Sequence, residues 1–187
     1  MTNTPTFLTD AKNLLTEQGF IASDTWYHGT SSALANLIQA QGLKRSGDRE
    51  LMSATKNTMA TIGNDYTESI EPIFLTQSKE LAFYWAKQTV RDRSVRIEGH
   101  EQPVVFAVKL TAELSQQVKP DVGAASLLLL TEGEKFMAYL AAIYQANGLE
   151  VPSIDLMTAD RMEYLTTLGM AYFDADIDTS CLQLITG

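Results

Sequence analysis

The sequence predicts an α+β fold. Short apolar runs of strand character recur along the chain, four or five segments carry helical spacing with start and stop signals, and no repeat, low-complexity tract or linker divides them. A chain of 187 residues is long enough to bury a core of its own, so residues 1–187 are expected to form one domain, with residues 1–22 as an N-terminal helical extension.

The elements follow in order. Thr9 can cap a helix over Asp10 to Gln18, where Ala11, Leu14 and Leu15 form a stripe and Gly19 marks the stop. A short strand is expected from Thr25 to His28. The next helix starts near Ser31 or Ser32, buries Leu34, Leu37 and Ile38, and stops at Gly42. Residues 46–70 are polar, show no sustained period, and read as a long loop. Ile73–Thr76 reads as a buried strand and Ser78 as the cap of a helix to about Arg91. Ala82, Trp85, Ala86 and Thr89 make that helix's core face, and Tyr84 falls well away from it. VVFAVKL, residues 104–110, is the clearest strand. A capping box, Thr131 to Glu134, opens a helix ending at Asn147-Gly148, and a shorter helix spans Ala159 to Leu168 before Gly169. MAYF and CLQLI, joined by the acidic DADIDTS, close the chain as two strands.

Composition narrows the function classes. The single cysteine, Cys181, leaves no partner for an intramolecular disulfide, which fits a reducing compartment. Met1 to Asp10 is polar and has no basic start of a leader, and GAASLLLL falls short of the roughly 20 apolar residues of a membrane span. A cytoplasmic protein with no membrane partner is the expectation. Net charge is −9, from 14 basic and 23 acidic residues, which argues against a large surface tracking the phosphates of duplex nucleic acid. Arg91, Arg93 and Arg96 form one local basic cluster, expected to be a solvated helix end.

The sequence has no GxSxG, Walker A, HExxH or CxxC motif. Asp174, Asp176 and Asp178 alternate as in a calcium loop, but Thr179 and Ile185 stand where that loop needs glycine and glutamate. No metal site is expected. Attention falls on His28, one of two histidines; the other, His100, sits in a polar loop. Gly29 allows a close approach, and Thr30 and Ser31 add hydroxyls and backbone N–H groups beside a helix start.

YHGTS followed by LxxIxxxGL-like text, then IFLTQS with a helix behind it, then VVFAVKL, resembles the ADP-ribosyltransferase family in order and spacing over roughly residues 25–110. The family's bacterial, phage and toxin branches and the related RNA 2′-phosphotransferases share this arrangement. The resemblance implies a split, mixed or antiparallel sheet with flanking helices. It also implies NAD as co-substrate, transfer of ADP-ribose to an acceptor, most often a protein, and release of nicotinamide. His28 would bind ribose with Gly29, Thr30 and Ser31 beside it, and Tyr84, or Phe83 next to it, would stack on nicotinamide. Thr76 and Ser78 match the hydroxyl positions that close the second strand. The late-strand glutamate has no clear counterpart; Asp174 and Asp176 are the nearest carboxylates and Glu132 a further option. That departure keeps open a non-catalytic binding or inhibitor protein on the same fold. An RNA 2′-phosphotransferase fits less well, since residues 1–24 leave no room for its winged-helix domain and the charge is acidic.

Overall fold

The structure, a computed structural model, describes residues 10–16, 19–20, 23–64, 67, 69–121, 144–145, 148–150 and 158–185. The helix expected from Thr131 to Asn147, and with it Glu132, lies outside these apart from Tyr144 and Gln145.

Six strands form one sheet in which every pair is antiparallel: β3 (Thr25–Ser31), β4 (Ile73–Thr76), β5 (Pro103–Lys109), β6 (Lys119–Pro120), β7 (Met170–Phe173) and β8 (Leu182–Ile185), in the order β6-β7-β4-β3-β5-β8. This is an α+β architecture. Partners in register share a face, so Trp26, His28 and Thr30 of β3 point with Val108, Phe106 and Val104 of β5. Trp26, Phe106 and Val108 join Ile73, Leu75, Ala171 and Phe173 in the main core, beneath Ala35 and Ile38 of helix α2 (Ser32–Gln41). On the opposite face helix α4 (Lys79–Ser94) lies across β3 and β5.

β3 runs along all of β5, from Thr25–Lys109 to Ser31–Pro103, yet pairs with β4 only at Tyr27–Thr76. Beyond that point the backbones part. His28 therefore sits mid-strand, at the mouth of this split, rather than at a strand end as the sequence suggested. The link from β7 to β8 crosses the sheet and is pinned by a bridge between Leu43 and Ile177. Gly169 ends helix α6 (Arg161–Leu168) in the left-handed conformation, φ 59°, as a C-terminal glycine should.

Three expectations need correction. The N-terminal helix is only α1, Ala11–Leu14; Leu15–Thr16 (β1) then pairs with Gly19–Phe20 (β2), and Thr16 Oγ1 donates to Gly19 O, so Gly19 closes a hairpin instead of a helix. Residues 46–70 hold helix α3, Arg49–Thr61. Asp48 caps it by accepting from Leu51 N at 3.0 Å, and Glu50 suits the positive end of the helix dipole. Arg93, expected in solvent, has no exposed surface. Helix α5 covers Ala112–Ser115, and a short 3-10 helix covers Thr179–Cys181. Among the described residues no helix is long and apolar enough to cross a membrane.

Candidate functional site

A cleft of about 420 Å³ fills the split between β3 and β4, within the range of small-molecule sites. His28, Gly29 and Thr30 line one side and Ile73 and Phe74 the other. Leu34, Leu37 and Ile38 of α2 and Leu51, Met52 and Thr55 of α3 form its walls, so the interior is mostly apolar. Its charged side chains are Lys44, Asp48 and Glu71. The α2–α3 connection is fixed at this rim, because Ser46 N donates to Glu71 O and Glu71 N donates back to Ser46 Oγ at 2.7 Å.

His28 is held by its ring. Nδ1 lies 2.9 Å from Phe74 O, and a carbonyl can only accept, so Nδ1 carries the proton and donates across the split. That leaves Nε2 of the neutral ring as an acceptor. Burial pushes the imidazole below its ordinary 6.5, and the bond to Phe74 O offsets part of this. A neutral acceptor there suits a hydroxyl donor on a ligand better than an anion.

The lowered pKa makes a stability prediction with a definite sign. The unfolded chain takes up a proton near 6.5 while the folded ring resists it, so stability should decline as pH falls through 6.5 towards the lower folded value. In His28→Gln, whose amide can still donate to Phe74 O, that decline should shrink. Thermal melts between about pH 7.5 and 5.5 test it; equal pH slopes in both proteins would count against it.

The other residues singled out in the sequence distribute differently. Thr30 is buried in the cleft wall. Gly29 also lines the cleft, but it gives its room to α4, whose Ala82 carbonyl lies where a Cβ would go. Ser31 is the α2 cap, accepting from Ala33 N at 3.1 Å and donating to Glu101. Thr76 Oγ1 donates to Gly169 O and accepts from Ser78 N. Ser78 caps α4 by accepting from Leu81 N and donates to Asp10 at 2.7 Å. These three hydroxyls hold the scaffold and do not line the cleft.

Nor does Tyr84 line it. α4 turns Leu81, Ala82, Ala86 and Arg93 inward and reaches the cleft through Thr89. Tyr84 lies roughly opposite Ala82 and Ala86 by helical geometry and packs edge-on against half-buried Trp85, with ring centroids 5.2 Å apart. Phe83 is beside Lys79. The aromatic at the cleft is Phe74, about half exposed.

Asp174 pairs with Lys119 at 2.6 Å and Asp176 with Lys44 at 3.2 Å, both outside the cleft lining. The Arg45 N–H, then Lys44, hold Asp176 below the usual carboxylate range. The carboxylates at the cleft are Asp48 and Glu71 instead. Sequence reasoning missed both: Asp48 falls in the segment 46–70 read as a loop, where the Asp48-Arg-Glu-Leu cap signal was the available clue, and Glu71 sits between that segment and the strand Ile73–Thr76.

Behind Asp48 lies an ion-pair node. Arg93 donates through Nε and Nη2 to both oxygens of Glu101 at 2.7 and 2.9 Å, through Nη1 to Asp48 Oδ1 at 2.5 Å and through Nη2 to Glu50 at 2.8 Å. Glu101 above all, then Asp48 and Glu50, raise the guanidinium pKa further, and Arg93 in turn holds the Glu101 carboxyl low. One side chain thus ties α4 to α3, to the lead-in of β5 and, through Ser31, to α2. No family model, curated protein or solved structure matches the chain.

Proposed function

We propose that the cleft binds NAD and that the chain is an ADP-ribosyltransferase, moving ADP-ribose to an acceptor, most often a protein, with release of nicotinamide. The observation that carries this reading is His28. Two of the motifs that carry the resemblance, YHGTS and IFLTQS, lie on the adjacent strands that part around the cleft, and the neutral His28 ring offers Nε2 to a ribose hydroxyl. In the reaction the C1′–N bond breaks and its electron pair stays on nicotinamide, which becomes neutral. Positive charge passes to the ribose, the acceptor's nucleophilic atom bonds to C1′, and its proton goes to solvent. A carboxylate in a water-poor cleft stabilises that charge, and here Asp48 and Glu71 take the place first given to Asp174 and Asp176. Phe74 takes the stacking place first given to Tyr84. We assign the reaction to the cytoplasm, on the single cysteine and the acidic composition.

A second reading is favoured by the position of Tyr84 on the far side of α4: a binding protein on this fold without transfer activity. The RNA 2′-phosphotransferase reading is weakened, because Lys44 is the only Lys or Arg among the described residues that line the cleft.

Calorimetric titration with NAD and an assay of nicotinamide release test the proposal. His28→Ala is expected to weaken NAD binding by about tenfold, the value of a hydrogen bond lost on one side, and Phe74→Ala by a similar factor. Tyr84→Ala should leave binding within about twofold. Binding without nicotinamide release, with or without candidate acceptors, would favour the binding protein; no NAD binding at millimolar concentration would overturn the proposal.

A further inference from the structure

We infer that the Asp48 end of the cleft is a subsite for a flat, positively charged ring, with Asp48 the carboxylate that faces the charge and Arg93 the residue that positions it. This deepens the transferase reading, since the nicotinamide ring of NAD is such a cation before its bond to ribose breaks.

Asp48 differs from the other carboxylates near the cleft. Its Oδ1 accepts from both Arg93 and Leu51 N, which fixes the side chain at the N-terminus of α3. Its Oδ2 is buried and has no hydrogen-bond partner among the described residues. A carboxylate oxygen withdrawn from water without a donor is costly, and a positive charge held against the stretch of cleft wall that Asp48 lines offsets part of that cost through its field, without touching Oδ2.

The surroundings favour a cation over a neutral donor. Arg93 brings one positive charge to the node, while Asp48, Glu50 and Glu101 bring three negative ones. Arg93 therefore orients Asp48 without cancelling its field, and the cleft's own cation, Lys44, is paired with Asp176 at 3.2 Å. Glu50 is largely exposed and screened, but Asp48 and Glu101 are not. Leu37, Leu51 and Met52 supply apolar cleft wall, and Phe74 an aromatic face that also favours a cationic ring. A compact, strongly hydrated ammonium would have to shed its water against these walls. A delocalised pyridinium is more weakly hydrated and fits them better.

The test uses the whole chain and two ring probes of one shape, 1-methylnicotinamide, a cation, and nicotinamide, which is neutral, followed by ligand-observed NMR. The wild type is expected to bind the cation at least about tenfold more tightly. Asp48→Asn keeps the helix cap and removes the charge, and Asp48→Ser caps with a different oxygen; both should bring the ratio to about one. Asp174→Asn makes the same change of charge outside the cleft and should leave the ratio unchanged. A ratio near one in the wild type, a preference that survives Asp48→Asn and Asp48→Ser, or no binding of either ring at tens of millimolar overturns the subsite. The outcome separates from the transferase reading: NAD cleavage without a preference for the cation leaves that reading standing and removes the subsite. Preference for the cation without NAD binding does the reverse.

Discussion

Replacing Arg93 with methionine is expected to cost about 3–5 kcal/mol of folding stability, the loss seen when one partner of a buried ion pair is removed. Methionine keeps most of the aliphatic volume, so the cost comes from the carboxylates left behind. Glu101 is 14% exposed and Asp48 20%, so both remain charged in poor contact with water. Glu50, at 63%, turns to solvent and adds little. Arg93→Lys should fall between, because a single ammonium cannot match the forked contacts to Glu101 while reaching Asp48 and Glu50. The pH dependence supplies a second check. Glu101 titrates below its ordinary 4.5 in the folded protein, so its stabilisation is present at neutral pH and is lost as pH falls through that lower value. In Arg93→Met the stranded Glu101 carboxylate gains from protonation, and the deficit relative to wild type should narrow near about pH 4. Urea unfolding at both pH values measures it. A loss under about 1 kcal/mol, or a deficit equal at the two pH values, would mean that the node contributes little.

That node also shows what a sequence conceals. Arg93 reads as one of three arginines on a helix end, since its partners lie 45, 43 and 8 residues away and nothing local announces them. Helix α3 escaped for a related reason. None of its residues is buried, because Leu51, Met52 and Thr55 face a cleft rather than the core, so the apolar stripe is thin and the polar remainder reads as loop. β4, β5, α2 and α4 were legible because each combines an apolar run or stripe with a cap or stop.

At the candidate site the legible part was the scarce side chain. His28 was found by its type and its neighbours, and it lines the cleft. Ser31, Thr76 and Ser78 were drawn toward a ligand because a hydroxyl beside a helix start serves a cap or a ligand equally well. Here each has a scaffold partner: Ala33 N and Glu101, Gly169 O, or Leu81 N and Asp10. Asp174 and Asp176 were chosen by chain position alone. Lys119 and Lys44 claim them, while the carboxylates of the cleft come from before β4.

Gly29→Ala should be strongly destabilising, costing about 3 kcal/mol or more. A Cβ there would lie 2.0 Å from Ala82 O and 2.9 Å from Ala82 C and Ala86 N. All three are backbone atoms of α4, so no side chain can rotate away; the helix must lift from β3 or the strand must bend. Gly63→Ala is the useful contrast. Its Cβ would meet nothing within 4 Å, and only the positive φ of 77° opposes it, at about 1–2 kcal/mol. If chain conformation rather than packing dominated, Gly63→Ala would be the less stable of the two in urea. Lifting α4 also has a consequence at the cleft, because Thr89 lines it and Arg93, on the same helix, fixes Asp48. The His28 ring resonances should therefore shift in Gly29→Ala and stay in place in Gly63→Ala. Unchanged His28 signals in a destabilised Gly29→Ala would mean that β3 holds its ring independently of the helix. The glycine between a histidine and two hydroxyls would then be there for α4 alone, with His28 and Thr30 left as the ligand-facing part of YHGTS.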